Sequence, residues 1–177
     1  KLSADGAHLW SRDLRGAEGS ATAVAVGPDR VYVGGTFSGR FYFQSQAHAS
    51  GSPQGFVAAY SAEGRERWAR SFAASASALA TDEAGQLTLA GTHDGGLDLG
   101  PGRATAPAGL FVARLLPEDG ASVWVRGFTS PTGAPAARAL AVDASGHAVV
   151  AGALPRTLPE GTPYPRPRDG FLVRLRP

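Results

Sequence analysis

Leu87-Thr88-Leu89-Ala90-Gly91, followed by a Gly-rich segment and then Leu110-Phe111-Val112-Ala113-Arg114-Leu115, decides how this chain is built. The first run alternates at period two, as a half-buried strand requires. Ahead of it, Ser77-Ala78-Leu79-Ala80-Thr81 alternates small polar and apolar residues, and Asp82-Glu83-Ala84-Gly85 turns the chain between the two runs. Residues 95–102 read as a loop with room for a short extra strand. Beyond Leu115, Pro117-Glu118-Asp119-Gly120 makes a further turn into Ser122-Val123-Trp124-Val125-Arg126. Gly or Pro interrupts every candidate helical segment. The unit is a four-stranded meander, and the fold class is all-β.

The unit recurs. Its Trp marker falls at Trp10, Trp68 and Trp124, spacings of about 58 and 56 residues. Its Gly marker reads Gly34-Gly35, Ala90-Gly91 and Ala151-Gly152, and its aromatic-led strand begins at Phe56, Phe111 and Phe171. A fixed period of this size signals a repeat architecture. Four-stranded units with small residues on the first strand predict the blades of a β-propeller, because first strands converge on a central axis where bulky side chains collide. The predicted organisation is an orphan outer strand in 1–14, blade 1 in 20–72, blade 2 in 77–128, and blade 3 in 137–177 lacking its outer strand.

An orphan fourth strand at one end and a missing one at the other are complementary, as in a clasp that closes a ring. Three blades are too few for a ring, since propellers run from about four to eight. Two solutions follow: further blades ahead of Lys1 in a longer parent, which is preferred, or two chains exchanging clasps in a six-bladed homodimer. The start at Lys1, without Met and in mid-repeat, reads as a fragment or a processed product.

Hydrophobic residues make up 43% of the 177 and charged ones 18%, which places the chain among globular rather than disordered proteins. Gly (24) and Pro (13) are abundant, as many tight turns demand. The net charge of +2 is small and the arginines are dispersed, so a nucleic-acid partner is not expected. Without cysteine there is no disulfide, thiol nucleophile or thiolate metal site. No apolar run reaches the eighteen or so residues of a membrane span.

Several phrases carry a family resemblance: Leu-Ser-Ala-Asp-Gly-x-x-x-Trp from Leu2, Tyr-Ser-Ala-Glu-Gly-x-x-x-Trp from Tyr60, Ala-Val-Asp-Ala-Ser-Gly-x-Ala-Val-Val-Ala-Gly from Ala141, and Asp-Gly-Phe-Leu-Val-Arg-Leu from Asp169. They resemble the bacterial SBBP-type β-propeller repeats, over nearly the whole chain. The resemblance implies a propeller in a secreted or cell-surface protein, extracellular or in the envelope, and implies no activity. The third unit departs from the pattern, with a Pro-rich loop over 154–168 replacing the usual Gly-rich hairpin. The turn-plus-Trp phrase is also similar to the tryptophan-docking element of quinoprotein propellers, but the period here is longer and no quinone site is visible.

Few residues suggest chemistry. Arg two positions after each Trp (Arg12, Arg70, Arg126) shares its strand face, and recurrence in every unit favours a structural cation–π lid over a ligand ledge. His93, Asp94 and Asp98 offer one imidazole and two carboxylates, but turns favour Asp in any case, so no metal site is assigned. The four histidines fall at unrelated places in the repeat, and no Gly-x-Ser-x-Gly or phosphate-cradling loop occurs. No catalytic residue and no cofactor are therefore assigned. Arg156, Tyr164, Arg166 and Arg168, held extended by five prolines, could dock an acidic polysaccharide or a partner protein. With His93 and Asp94 they form the candidate binding set. The Ser/Gln-rich stretch 44–54 reads as a second loop, able to hydrogen-bond sugars or simply mobile. The expected function is a non-enzymatic binding or structural scaffold recognising protein or glycan through its loops, with a propeller hydrolase, lyase or quinoprotein-like enzyme as the alternative.

Overall fold

A computed structural model describes residues 1–14, 17–95, 97–99, 108–129, 135–155 and 168–175. Among them there is no helix. Eleven strands, all paired antiparallel, form three open sheets in simple meander order. The first sheet holds β1 (Ala17–Val26), β2 (Arg30–Phe43), β3 (Gln46–Ser61) and β4 (Glu66–Phe72). The second holds β5 (Ala78–Thr81), β6 (Leu87–His93), β7 (Gly109–Leu115) and β8 (Ser122–Phe128). The third holds β9 (Ala136–Val142), β10 (Ala148–Pro155) and β11 (Arg168–Leu175), with β11 at the edge.

The Gly marker has a steric cause. Gly35, Gly91 and Gly152 pair across the sheet with Phe56, Phe111 and Phe171, the heads of the aromatic-led strands. A Cβ added at each would lie 1.9, 1.9 and 2.1 Å from the carbonyl oxygens of Ser20, Ser75 and Ala136 on the preceding segment. In the first and third sheets that segment carries a bulge at this point, which presses the backbone onto the glycine. The Phe rings fill the space left free: at Gly91 and Gly152 the same Cβ would also meet Phe111 or Phe171 within 2.8 Å. Glycine here is a close-approach residue in every unit.

The cores lie between sheets. One joins Tyr32, Val57 and Trp68 of the first sheet to Leu79, Leu89 and Phe111 of the second. Another joins Ala90, Leu110 and Val112 of the second to Ala137, Val150 and Leu175 of the third. The middle sheet is therefore covered on both faces, and β7 is buried along its whole length. Each fully buried Leu or Phe contributes roughly 1.5–3 kcal/mol. The first strands run beside one another, β1 along β5 and β5 along β9. Thr22 Oγ1 donates to the Ala76 carbonyl (2.5 Å), Thr81 Oγ1 to that of Val26 (2.8 Å) and the buried Tyr32 hydroxyl to that of Gly85 (3.1 Å).

The outer strands lock the same joint. Trp68, on β4, lays its indole on Gly120, in the β7–β8 turn of the next sheet, and its Nε1 donates to the Pro117 carbonyl at 2.8 Å. Gly120 has φ +71°, and a Cβ on it would come within 2.6 Å of the ring. Arg70 Nε donates to the Asp119 carbonyl at 3.1 Å. Trp10 and Arg12 repeat these contacts on the β3–β4 turn, with Trp10 Nε1 to Ala62 at 3.0 Å and Arg12 Nε to Gly64 at 2.6 Å. The Arg lid over Trp is present at Arg12 (5.7 Å to the ring centroid) and Arg126 (5.3 Å). For Arg12 and Arg70 the guanidinium is also the second clamp on the turn.

Residues 1–14, expected as an orphan outer strand, make no ladder among the described residues beyond the single bridge Leu2↔His8. Trp10 and Arg12 hold the segment against the first sheet. One expectation needs correction: the stretch 44–54 is no loop. Only Gln44 and Ser45, both at positive φ, turn the chain, and the rest begins β3. Phe37, Phe41, Phe43 and Phe56 bury a satellite core that makes the long hairpin stable.

His48 belongs to that core. Its ring stacks on Phe41 with centroids 4.8 Å apart, and Nδ1 lies 3.3 Å from Ser71 Oγ. Burial holds its pKa below the ordinary imidazole value. The fold thus favours the neutral ring. This contribution is whole above the unfolded pKa of about 6.5 and is lost as pH falls toward the depressed folded value. Melting temperature should drop between about pH 7.5 and about pH 5, and His48→Phe should shrink that drop. An equal drop in both proteins would remove His48 as a cause.

Candidate functional site

At the hairpin end of the sheets, the long β2–β3 arm walls a cavity of about 340 Å³ against the second sheet. Thr36 from β2, Ser52 and Gln54 from β3, Ser75 from the β4–β5 link, and Thr92 and His93 at the end of β6 line it, with Asp94 at the rim. The lining is hydroxyl, amide, imidazole and carboxylate. It arises because the Gly91 close approach brings the 73–77 link against β6: Ser75 N donates to the Thr92 carbonyl at 2.8 Å, and Thr92 N donates back to Ser75 Oγ at 3.0 Å. Ser75 Oγ and Thr92 Oγ1 lie 2.9 Å apart.

His93 is 2% exposed and packs edge-on to Phe111. Gly95 N donates to its Nδ1 at 3.2 Å, so the proton of the neutral ring is on Nε2. That buried Nε2 has no hydrogen-bond partner among the described residues. Leaving such a donor unsatisfied costs about 1–3 kcal/mol. Asp94, next along the chain, is exposed, as is Asp98, while Leu97 between them is fully buried. His93 ends β6 as a buried side chain, and Asp94 stands exposed in the bend that follows. Among the described residues no three His, Cys, Asp or Glu side chains gather as a metal would require.

Of the other sequence candidates, Arg168 opens β11, its backbone paired with Pro155. Arg156, Tyr164 and Arg166 lie outside the described residues. Sequence reasoning missed Ser75 and Thr92, whose pairing depends on the bulged link folding back. It also missed Arg114, which is buried between the second and third sheets. Arg114 Nε donates to Gln86 Oε1 at 2.6 Å, one terminal nitrogen to the Gly146 carbonyl at 3.0 Å, and the other contacts Asp82. The signal was an Arg inside an otherwise apolar strand.

Among the described residues no helix is long and apolar enough to cross a membrane. No family model matches the sequence, and no curated protein matches it.

Proposed function

We propose that the chain is a three-blade sector of an SBBP-type β-propeller that acts as a non-enzymatic scaffold, extracellular or in the cell envelope, binding a protein or glycan ligand at the hairpin end of its sheets. The side-by-side first strands, the meander order and the Trp68 contact from the outer strand of the first sheet to the turn of the second support the propeller reading. The observation that carries the binding reading is the cavity beside β6, where the paired Ser75 and Thr92 hydroxyls meet Ser52 and Gln54 of the hairpin. Hydroxyl and amide groups set among the small apolar faces of Pro53, Ala73 and Ala74 suit a ligand that presents both hydroxyls and the apolar face of a sugar ring. Of the two ligand classes the lining favours a glycan.

A titration of the isotope-labelled chain with a panel of neutral and acidic oligosaccharides, followed by NMR, tests this. Binding should shift the amide signals of Ser52, Gln54, Ser75 and Thr92 together with the His93 imidazole. Gln54→Ala, at the rim of the hairpin, should weaken binding about tenfold, the loss of roughly one good hydrogen bond. Shifts confined to other surfaces, or none with any sugar, would contradict the glycan reading. Turnover of a sugar during the titration would move the protein to the enzyme class.

A further inference from the structure

The turn at residues 3–7 is built like the two turns that carry tryptophans. Ser3 N donates to the Ala7 carbonyl (2.9 Å) and Gly6 N to that of Ser3 (3.0 Å), as Ser61 N does to Arg65 (2.8 Å) and Gly64 N to Ser61 (2.9 Å). Ser3 Oγ binds the Asp5 carboxylate as Ser61 Oγ binds that of Glu63. Gly6 has φ +85°, beside +79° at Gly64 and +71° at Gly120. The difference is what lies on the glycine. Indole rings cover Gly64 and Gly120 within 2.7 Å of an added Cβ, whereas nothing approaches Gly6 within 4 Å. The same bonds close the turns at 82–86 and 143–147, but Gly6 stands four residues ahead of Trp10, as Gly64 does of Trp68 and Gly120 of Trp124, so this turn is a tryptophan platform with an open face.

The matching tryptophan is Trp124. Its homologue Trp68 is 7% exposed beneath the next sheet's turn. Trp124 is only half-buried and lines an open groove of about 320 Å³ between the second and third sheets, with Arg126 over its ring. The turn that would cover it belongs after β11, the unpaired edge of the three-stranded sheet. Two apolar faces also lie open at opposite ends of the row of sheets. On β1, Val24 and Val26 are 63% and 69% exposed, while Leu79, at the position of Val24 in the second sheet, is buried against the first. On β11, Leu172 is 72% exposed.

These four features fit one joint. We infer that residues 8–14 of one copy of this chain add as the fourth strand beside β11 of a second copy, with the 3–7 turn leading into them. The Gly6 turn of the first copy then receives Trp124 of the second. Trp10 stays docked on its own sheet, so the third sheet of the second copy packs on the Val24–Val26 face of the first. The segment cannot serve its own third sheet, because Trp10 and Arg12 hold it at the first-sheet end of the row. The joint is head-to-tail, and such joints either close into rings or run on as filaments. Two copies supply six sheets, within the range of closed propellers. That count rests on the propeller reading, whereas the joint rests on the Gly6 and Trp124 geometry alone.

Sedimentation equilibrium of the full chain across a wide concentration range tests both. The expected mass is twice 18.1 kDa. Gly6→Asn and Trp124→Ala, each shown folded by circular dichroism, should each weaken association at least tenfold, as truncation at a central aromatic contact does. Nothing lies within 4 Å of a Cβ at Gly6, and Asn adopts the left-handed backbone there, so Gly6→Asn separates docking from folding. A larger oligomer dissolved by both variants would keep the joint and sink the six-sheet ring. A monomer at every concentration would overturn the joint and leave the β11 edge to a further repeat of a longer chain. A dimer unaffected by both variants would also overturn it.

Discussion

Gly91→Ala should abolish the native fold, or cost at least about 4 kcal/mol where a folded fraction survives, the range reserved for changes that force backbone to move. The new Cβ would stand 1.9 Å from the Ser75 carbonyl oxygen and 2.8 Å from the Phe111 ring. Neither can yield cheaply. Ser75 is tied to Thr92 by backbone and hydroxyl bonds, and Phe111 is fully buried in the core between the first two sheets. A domain of this kind has about 5–15 kcal/mol in total. The contrast with the preceding position is instructive, because Ala90 and Ala151 stand there beside Gly34. At Gly34 an added methyl meets only the Leu79 and Ala76 side chains, at 3.1–3.3 Å. Gly34→Ala should therefore cost no more than about 1–3 kcal/mol, and exposed Gly51→Ala, with nothing within 4 Å, almost nothing. Urea denaturation of the three variants measures the series. Equal costs at Gly91 and Gly51 would refute the steric account of the repeat's Gly marker.

Arg114→Met should lower stability by about 3–5 kcal/mol, the loss seen when one partner of a buried ion pair is removed. The Arg114 and Asp82 side chains are 7% and 8% exposed. Without the guanidinium, Asp82 keeps one backbone donor, Gln86 N at 2.9 Å, and the Gly146 carbonyl loses the bond that ties the third sheet to the second. The hydrophobic methionine chain replaces most of the volume, so the loss reports the stranded charge rather than a cavity. Adding Asp82→Asn should recover part of the loss, since a neutral amide is cheaper to bury than a carboxylate. Denaturation midpoints of the single and double variants give the coupling directly. A loss below about 1 kcal/mol in Arg114→Met would place Asp82 in contact with water and end its role as a buried anchor.

What could be read from the chain alone divides along physical lines. Strands and turns were legible because period-two alternation and turn residues such as Asp82 through Gly85 act locally. The Trp marker was legible as a feature of the repeat, and the structure gives its reason in Trp68, which lies between two sheets. One feature misled. Ser, Gln and Gly in 44–54 suggested a loop, yet the hairpin is held by Phe37, Phe41 and Phe43 on the opposite strand. A strand's stability here resides in its partner's side chains, and no local propensity records that. Residues 1–14 carry the phrase of an outer strand and, in the single chain, make no ladder beyond Leu2↔His8. The cavity was the least legible part. His93 was singled out as a binding candidate, but its environment depends on the 73–77 link, whose fold follows from the close approach at Gly91 rather than from its own residues.

The central claim is that the first sheet is keyed to the second by an indole on a glycine turn and a leucine on a glycine strand. Nuclear Overhauser contacts in the wild-type chain test it most directly. The account predicts contacts from the Trp68 indole protons to Gly120 Hα, and from the Leu79 methyl groups to Gly34 Hα, in a single sample. Ladder contacts within all three sheets without these two would contradict it, leaving three independent meanders on a string.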